Sequence, residues 1–343
     1  MITVENISKN YGSFEAVKDV SFSVGRGQIL GFLGPNGAGK TTIMKILTGY
    51  HFPSRGQVEI DGFSLVEDQI EIKKRIGYLP ESNPLYGDLS PEEYLNFAAS
   101  VRLLPREERK KAMDNAIVSC GLEEVRTQRI ESLSRGYKQR VGLAQAIIHD
   151  PPILILDEPS SGLDPNQIIE IRSLIRELGK RKTVILSTHI LQEVEAVCSK
   201  VLILNEGRIA AQGTPEEIAQ TIKGASSRDS WELHLLNADV TDLEKRFALL
   251  DREIAELSVE AIEDGIVKLK FSIRNSGALS KDSKTRRDSK TRRDGELIYD
   301  WAVNQGYKII GMTRKKLSLE DIFVKLTNEN NNSPRSITEE KNE

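Results

Sequence analysis

Apolar residues along this chain fall into two rhythms. Short, nearly continuous β-type runs, such as Ile29–Leu33 and Ile153-Leu154-Ile155-Leu156, read as strands buried on both faces. Between such runs lie longer segments with helical spacing and clear start signals. Ser90-Pro91-Glu92-Glu93 is a capping box with proline at the first helical position, and it predicts a helix to about Leu104. Asp164-Pro165 opens another to about Leu178, and Thr214-Pro215-Glu216-Glu217 opens a third. From about residue 82 to 150 no β-type run occurs, so a helical insertion is expected within a mixed α/β sheet domain spanning 1–224.

The pattern breaks at 223–230 (KGASSRDS) into small and polar residues, which reads as a linker. Beyond it, 231–236 and 257–262 read as strands. Val267, Leu269, Phe271 and Ile273 alternate with polar neighbours as a half-buried strand does, after a hairpin turn at Asp264-Gly265. Helices near 242–250 and 296–305 and a last strand at 308–312 complete the order βαββαβ. That order predicts a small ferredoxin-like α+β domain over 225–328. Within it the hexamer SKTRRD stands twice in tandem at 283–294, in a basic loop over 281–294 with no apolar residue in either copy. It reads more readily as a slipped duplication lengthening a solvated loop, which costs little closure entropy, than as a basic patch for lipid headgroups or nucleic acid. The polar tail 329–343 reads as disordered.

Composition narrows the function classes. The 343 residues carry 48 Lys and Arg against 51 Asp and Glu, a net charge of −3, which argues against gripping nucleic acid through bulk charge. No apolar run approaches the ~20 residues of a membrane helix, and the start MITVENISKNYG lacks the blocks of a signal peptide. Two cysteines, Cys120 and Cys198, suit a reducing compartment. A cytosolic protein is expected.

The strongest chemical signal is GPNGAGKTT, comprising Gly34, Pro35, Asn36, Gly37, Ala38, Gly39, Lys40, Thr41 and Thr42. It fits the phosphate-binding loop pattern in full, follows an apolar strand and precedes an apolar-periodic helix. Glycines let backbone amides turn onto phosphates at a helix N-terminus, Lys40 is placed to reach the β- and γ-phosphates, and Thr41 to ligate Mg²⁺. The run 153–156 ends in Asp157-Glu158, with Asp157 suited to the Mg²⁺ shell and Glu158 to activating water. These features define a P-loop NTPase.

Further motifs carry a resemblance. LSRGYKQR, with Ser134, Arg135 and Gly136, resembles the LSGGQ signature of ATP-binding cassette (ABC) ATPases. SSGLDP, ending in Asp164-Pro165, resembles their D-loop, STH their switch histidine at His189, and GYLPESNPLY their Q-loop. Tyr11 matches the aromatic that stacks on adenine, and Val17 sits where the family contacts nucleotide. The resemblance spans about residues 1–220 and implies the ABC ATPase fold. It implies ATP hydrolysis with Mg²⁺ held by Thr41, Asp157 and Glu81, and with Lys40, Glu81, Glu158 and His189 in the catalytic set.

Glu81 stands where the family has glutamine, Arg135 replaces a signature glycine and Tyr137 the signature glutamine. Two readings of the charged replacements stand side by side: they compensate across a head-to-tail dimer, or Arg135 points into solvent or towards the helical insertion, where an exposed charge contributes little. The appended domain resembles that of ABC-2-type exporters of drugs, polysaccharides or the gliding-motility kind. The resemblance therefore implies a subunit that dimerises with itself or a homologous ATPase and drives a separate membrane permease from the inner face of the membrane. A soluble ABC ATPase acting on nucleic acid or the ribosome is the alternative, although such chains carry paired cassettes or a long coiled coil.

Overall fold

Short strands with no exposed face form the centre of the first unit. In β3 (Ile29–Leu33) and β7 (Ile153–Asp157) every position is buried, as is every position of β8 (Thr183–Thr188). Strands buried on both faces belong inside a parallel sheet covered on both sides. The computed structural model, which describes residues 1–215, 217–218, 228–236, 238, 243, 246–247, 254–262, 265–274 and 295–315, puts them there. The order in a six-stranded sheet is β10-β9-β3-β8-β7-β6, with β6 (Ile76–Leu79), β9 (Lys200–Asn205) and β10 (Arg208–Gly213) flanking the three. Neighbours pair in parallel except β9 with β10.

A second sheet, ordered β2-β1-β4-β5, is antiparallel and is made of β1 (Ile2–Tyr11), β2 (Phe14–Val24), β4 (Arg55–Ile60) and β5 (Phe63–Ser64). One hydrophobic core joins both sheets to α1 (Lys40–Leu47), whose Ile43, Met44, Ile46 and Leu47 are fully buried. Such burial fixes the helix against the strand ends, and with it the loop that precedes it.

The insertion is helical as expected. After α2 (Gln69–Arg75) come α3 (Pro91–Val101), α4 (Arg106–Cys120) and α5 (Arg135–Ile147). The capping box at Ser90 forms in both directions, Glu93 N–H donating to Ser90 Oγ at 3.3 Å and Ser90 N–H to Glu93 Oε2 at 2.8 Å. The helix stops at Val101, three residues before the expected Leu104. Pro105 disfavours the helical conformation at Leu104, and the chain turns instead through Leu103 at φ 58°. The remaining helices are α6 (Pro165–Gly179), capped by Asp164 accepting from Gln167 N–H, and α7 (Leu191–Val197). Thr214 and Glu217 exchange the reciprocal bonds of a second capping box.

The chain divides into two units, one built on Met1–Ile218 and the other on Ala219–Lys325. The second holds β11 (Arg228–Leu236), β12 (Ile254–Ala261), β13 (Ile266–Arg274) and β14 (Lys308–Lys315) in the antiparallel order β12-β13-β11-β14. Val267, Leu269, Phe271 and Ile273 all face its core, with Trp231, Leu233, Leu235 and, from a helix over 295–304, Ile298 and Ala302. Most of the predicted helix at 242–250, the SKTRRD repeat and the tail 329–343 lie outside the described residues. Cys120 and Cys198 are buried, unpaired thiols, each pushed up to about 12 by burial.

Candidate functional site: a phosphate loop facing an acidic strand end

The loop 34–39 joins β3 to α1. Gly39 caps the helix at φ 101°, and a side chain there would bring its Cβ within 2.7 Å of the Ala16 carbonyl, so only glycine fits. No side chain caps α1 and no acidic residue stands in its first turn, which leaves its N-terminal amides and dipole for an anion. Lys40 begins that helix. Only 6% exposed, its Nζ donates to the carbonyls of Gly34 at 2.8 Å and Pro35 at 3.2 Å, and lies 3.5 Å from Glu158 Oε1. The ammonium is thus held across the mouth of the loop.

The carboxylates come from β7, two strands over from β3. Asp157 ends that strand, 1% exposed, and its Oδ1 accepts from Ser187 Oγ at 2.5 Å and from Thr41 Oγ1 at 3.4 Å. Burial pushes the Asp157 carboxyl up, the hydroxyls of Ser187 and Thr41 oppose this, and the Glu81 and Glu158 charges add to the rise. The structure thereby brings Glu81 into the electrostatic neighbourhood of Asp157. Asp157 Oδ2 is buried without a hydrogen-bond partner among the described residues. An orphaned carboxylate oxygen beside a threonine hydroxyl is a hard-oxygen donor set that suits Mg²⁺, which keeps waters and substrate phosphates rather than a protein cage. No group of three or more His, Cys, Asp or Glu that would cage a metal occurs among the described residues.

Glu158 stands at φ 48°, a conformation that an L-residue adopts only when its surroundings hold it there. Its N–H donates to Ser187 Oγ at 2.9 Å, and its Oε2 lies 2.9 Å from Nδ1 of the half-exposed His189. A carboxylate only accepts, so this contact suits the tautomer in which Nδ1 bears the hydrogen. Ser187 therefore ties the backbone of Glu158 to the side chain of Asp157. Sequence reasoning passed over this serine, although it stands two residues before His189. It also passed over Glu193 on α7, whose buried carboxylate accepts from Ser160 Oγ and Thr188 Oγ1.

The signature residues bond elsewhere. Ser134 caps α5 by accepting from Tyr137 N–H at 3.4 Å, Arg135 is exposed and Gly136 is buried against Gln167. No hydrogen bond or ion pair joins 134–136 to the loop 34–42 among the described residues. The Arg135 guanidinium rests on Gly162 of its own chain, where a glycine Cβ would come within 2.3 Å of Arg135 Cζ. Tyr11 is exposed at the end of β1, edge-on to His51 at 5.7 Å, and Val17 is buried on β2 opposite Lys9, next to a Lys18 N–H that donates to the Gly207 carbonyl.

Residues 17–161 match the ABC transporter family. The bacitracin transport ATP-binding protein BcrA of Bacillus licheniformis is 33% identical over 95% of this chain and 97% of its own length. The chain belongs to the ABC transporter family. Linearmycin resistance ATP-binding protein LnrL of Bacillus subtilis is 31% identical over 79% of the chain and 85% of its own. Among solved structures, the dimeric post-hydrolysis state of the ATP-binding cassette MJ0796, bound to ADP and phosphate, superposes with a TM-score of 0.57 at 26% identity. It spans 62% of this chain and 98% of that one. The first unit therefore has the ABC ATPase fold, and the chain is an ATP-hydrolysing subunit of an ABC transporter.

Proposed function

We propose that this chain is the motor subunit of an ABC-2-type exporter, driving a separate polytopic permease from the inner face of the membrane. The observation that carries the export reading is the extent of the BcrA likeness, which runs through the second unit as well as the ATPase unit. The second unit's strand order supports reading it as the ferredoxin-like domain expected from the sequence. No helix among the described residues is long and apolar enough to cross a membrane, so a permease must supply the path.

In this reading the amides of the loop 34–39 and Lys40 bind the phosphates, Tyr11 takes the adenine face and Val17 its edge. Thr41, Asp157 and Glu81 hold Mg²⁺, which when bound neutralises phosphate charge. Glu158 accepts a proton from the attacking water while His189, bonded to the same carboxylate, fixes its rotamer. The separation of 134–136 from the phosphate loop within one chain supports a head-to-tail dimer. There Ser134, Arg135, Gly136 and the D-loop Asp164 of one copy complete the site of the other. ATP then favours the closed pair and hydrolysis releases it.

Affinity purification of the chain from detergent-solubilised membranes tests the transporter reading. A polytopic protein without its own ATPase domain is the expected companion. Recovery with ribosomal subunits alone would contradict it.

A further inference from the structure

Two loops carry the proposed catalytic pair, and one buried carboxylate joins them. Glu158 lies on the segment that leaves β7, and His189 on the segment that leaves β8. Ser160, two residues after Glu158, donates its hydroxyl to Glu193 Oε1. Thr188, directly before His189, donates to Glu193 Oε2 at 2.7 Å. The same Thr188 hydroxyl accepts from the N–H of Ile190, directly after His189, at 3.0 Å, so the histidine is bracketed on both sides. Arg172 of α6 reaches within 3.7 Å of Glu193 Oε1 and balances a charge that is only 3% exposed. A buried carboxylate persists when it is paired and hydrogen-bonded on both oxygens, and this one is.

We propose that Glu193 is a positioning residue that holds the Glu158 segment and the His189 segment in register, and so sets the geometry of hydrolysis. Among the described residues no hydrogen bond or ion pair joins it to the phosphate loop or to the carboxylate of Asp157. Its effect passes through Ser160 and Thr188 to the 2.9 Å contact between Glu158 and His189. A displacement of about 1 Å in a catalytic pair costs on the order of 10²-fold in rate. In the proposed reading nucleotide affinity rests on the loop 34–39, Lys40 and Tyr11, and no hydrogen bond or ion pair joins Glu193 to any of them among the described residues. The inference rests on Glu158 and His189 acting as proposed above.

The test is steady-state ATPase kinetics of the full chain with three variants. Glu193→Ala removes both anchors and should lower kcat by about 10- to 100-fold, while KM for ATP and binding of a fluorescent ATP analogue stay within about twofold. Glu193→Gln keeps an oxygen and an amide for the two hydroxyls, which can each donate or accept, and should recover at least half of the lost rate. Ser160→Ala removes one anchor with little loss of volume, covers the case in which Glu193→Ala does not fold, and should lower kcat with KM unchanged. A parental kcat in Glu193→Ala or Ser160→Ala would overturn the proposal. So would a parallel rise in KM, or a glutamine variant as slow as the alanine one. Glu158→Gln run alongside separates the two readings: if it turns over at the parental rate the catalytic pair is wrong, whereas if it is slow and Glu193→Ala is not, only the positioning role fails.

Discussion

Glu158 and His189 share a hydrogen bond of 2.9 Å between Oε2 and Nδ1, although they leave different strands and stand 31 positions apart. The other oxygen of the same carboxylate lies 3.5 Å from Lys40 Nζ. One buried carboxylate thus connects the phosphate loop, the acidic strand end and the switch histidine. Nucleotide entering the loop must displace the Lys40 ammonium from the Gly34 and Pro35 carbonyls or share it with them.

Lys40→Ala should therefore lose nucleotide affinity. A charge-assisted hydrogen bond contributes about 1.5–3 kcal/mol. An affinity loss of about 10- to 100-fold for a fluorescent ATP analogue is expected. The melting temperature of the nucleotide-free protein should fall as well, because the buried Glu158 carboxylate keeps only His189 as its partner among the described residues. Parental affinity would contradict the assignment.

Much of this site was legible in the sequence because its residues sit next to strong local signals. Gly34 to Thr42 follow an all-apolar strand, Asp157-Glu158 close another, and both strands are buried as their composition demands. Ser187 and Glu193 were not legible, since a serine inside an apolar strand and a glutamate early in a short helix carry no mark of their partners. Their roles come from the pairing of β7 with β8, which no local pattern encodes. The end of α3 was misplaced because the capping box marks only a start, while its stop is set by Pro105 acting on the residue before it. The sequence left Arg135 between a role across a dimer and a solvent-facing charge; within its own chain its guanidinium rests on Gly162.

Asp157 yields a prediction in pH. Burial raises its carboxyl, so the folded protein holds that proton more tightly than the unfolded chain does. The associated stability is present below the ordinary aspartate range and is lost as pH rises through the raised value. Asp157→Asn never ionises, and its Oδ1 still accepts from Ser187. Without nucleotide or Mg²⁺ it should melt above the parent at pH 8, by about 2–4 °C for each kcal/mol relieved, with the gap closing toward pH 4. It should also lose Mg²⁺-dependent hydrolysis. A melting gap that widens on acidification would reverse the sign and contradict the assignment.

Gly162→Ala should destabilise the first unit by about 1–2 kcal/mol, because φ is +69° there and an L side chain is strained in that region. The new Cβ also meets the Arg135 guanidinium, the free end of a flexible side chain that pairs with no carboxylate among the described residues. Adding Arg135→Gly should therefore recover little of the loss. Urea unfolding of both single variants and the double variant checks this; full recovery in the double variant would show that the guanidinium contact, not the backbone, sets the cost.

The central claim is that Glu158 is the base for hydrolysis, and Glu158→Gln tests it most directly. Glutamine keeps the shape and a hydrogen-bond partner for His189 but cannot take a proton from water. ATP binding should persist while turnover slows by about 10²–10⁴, and sedimentation in ATP and Mg²⁺ should show a dimer that the parent does not accumulate. Hydrolysis at the parental rate, with no ATP-stabilised dimer, would contradict the account.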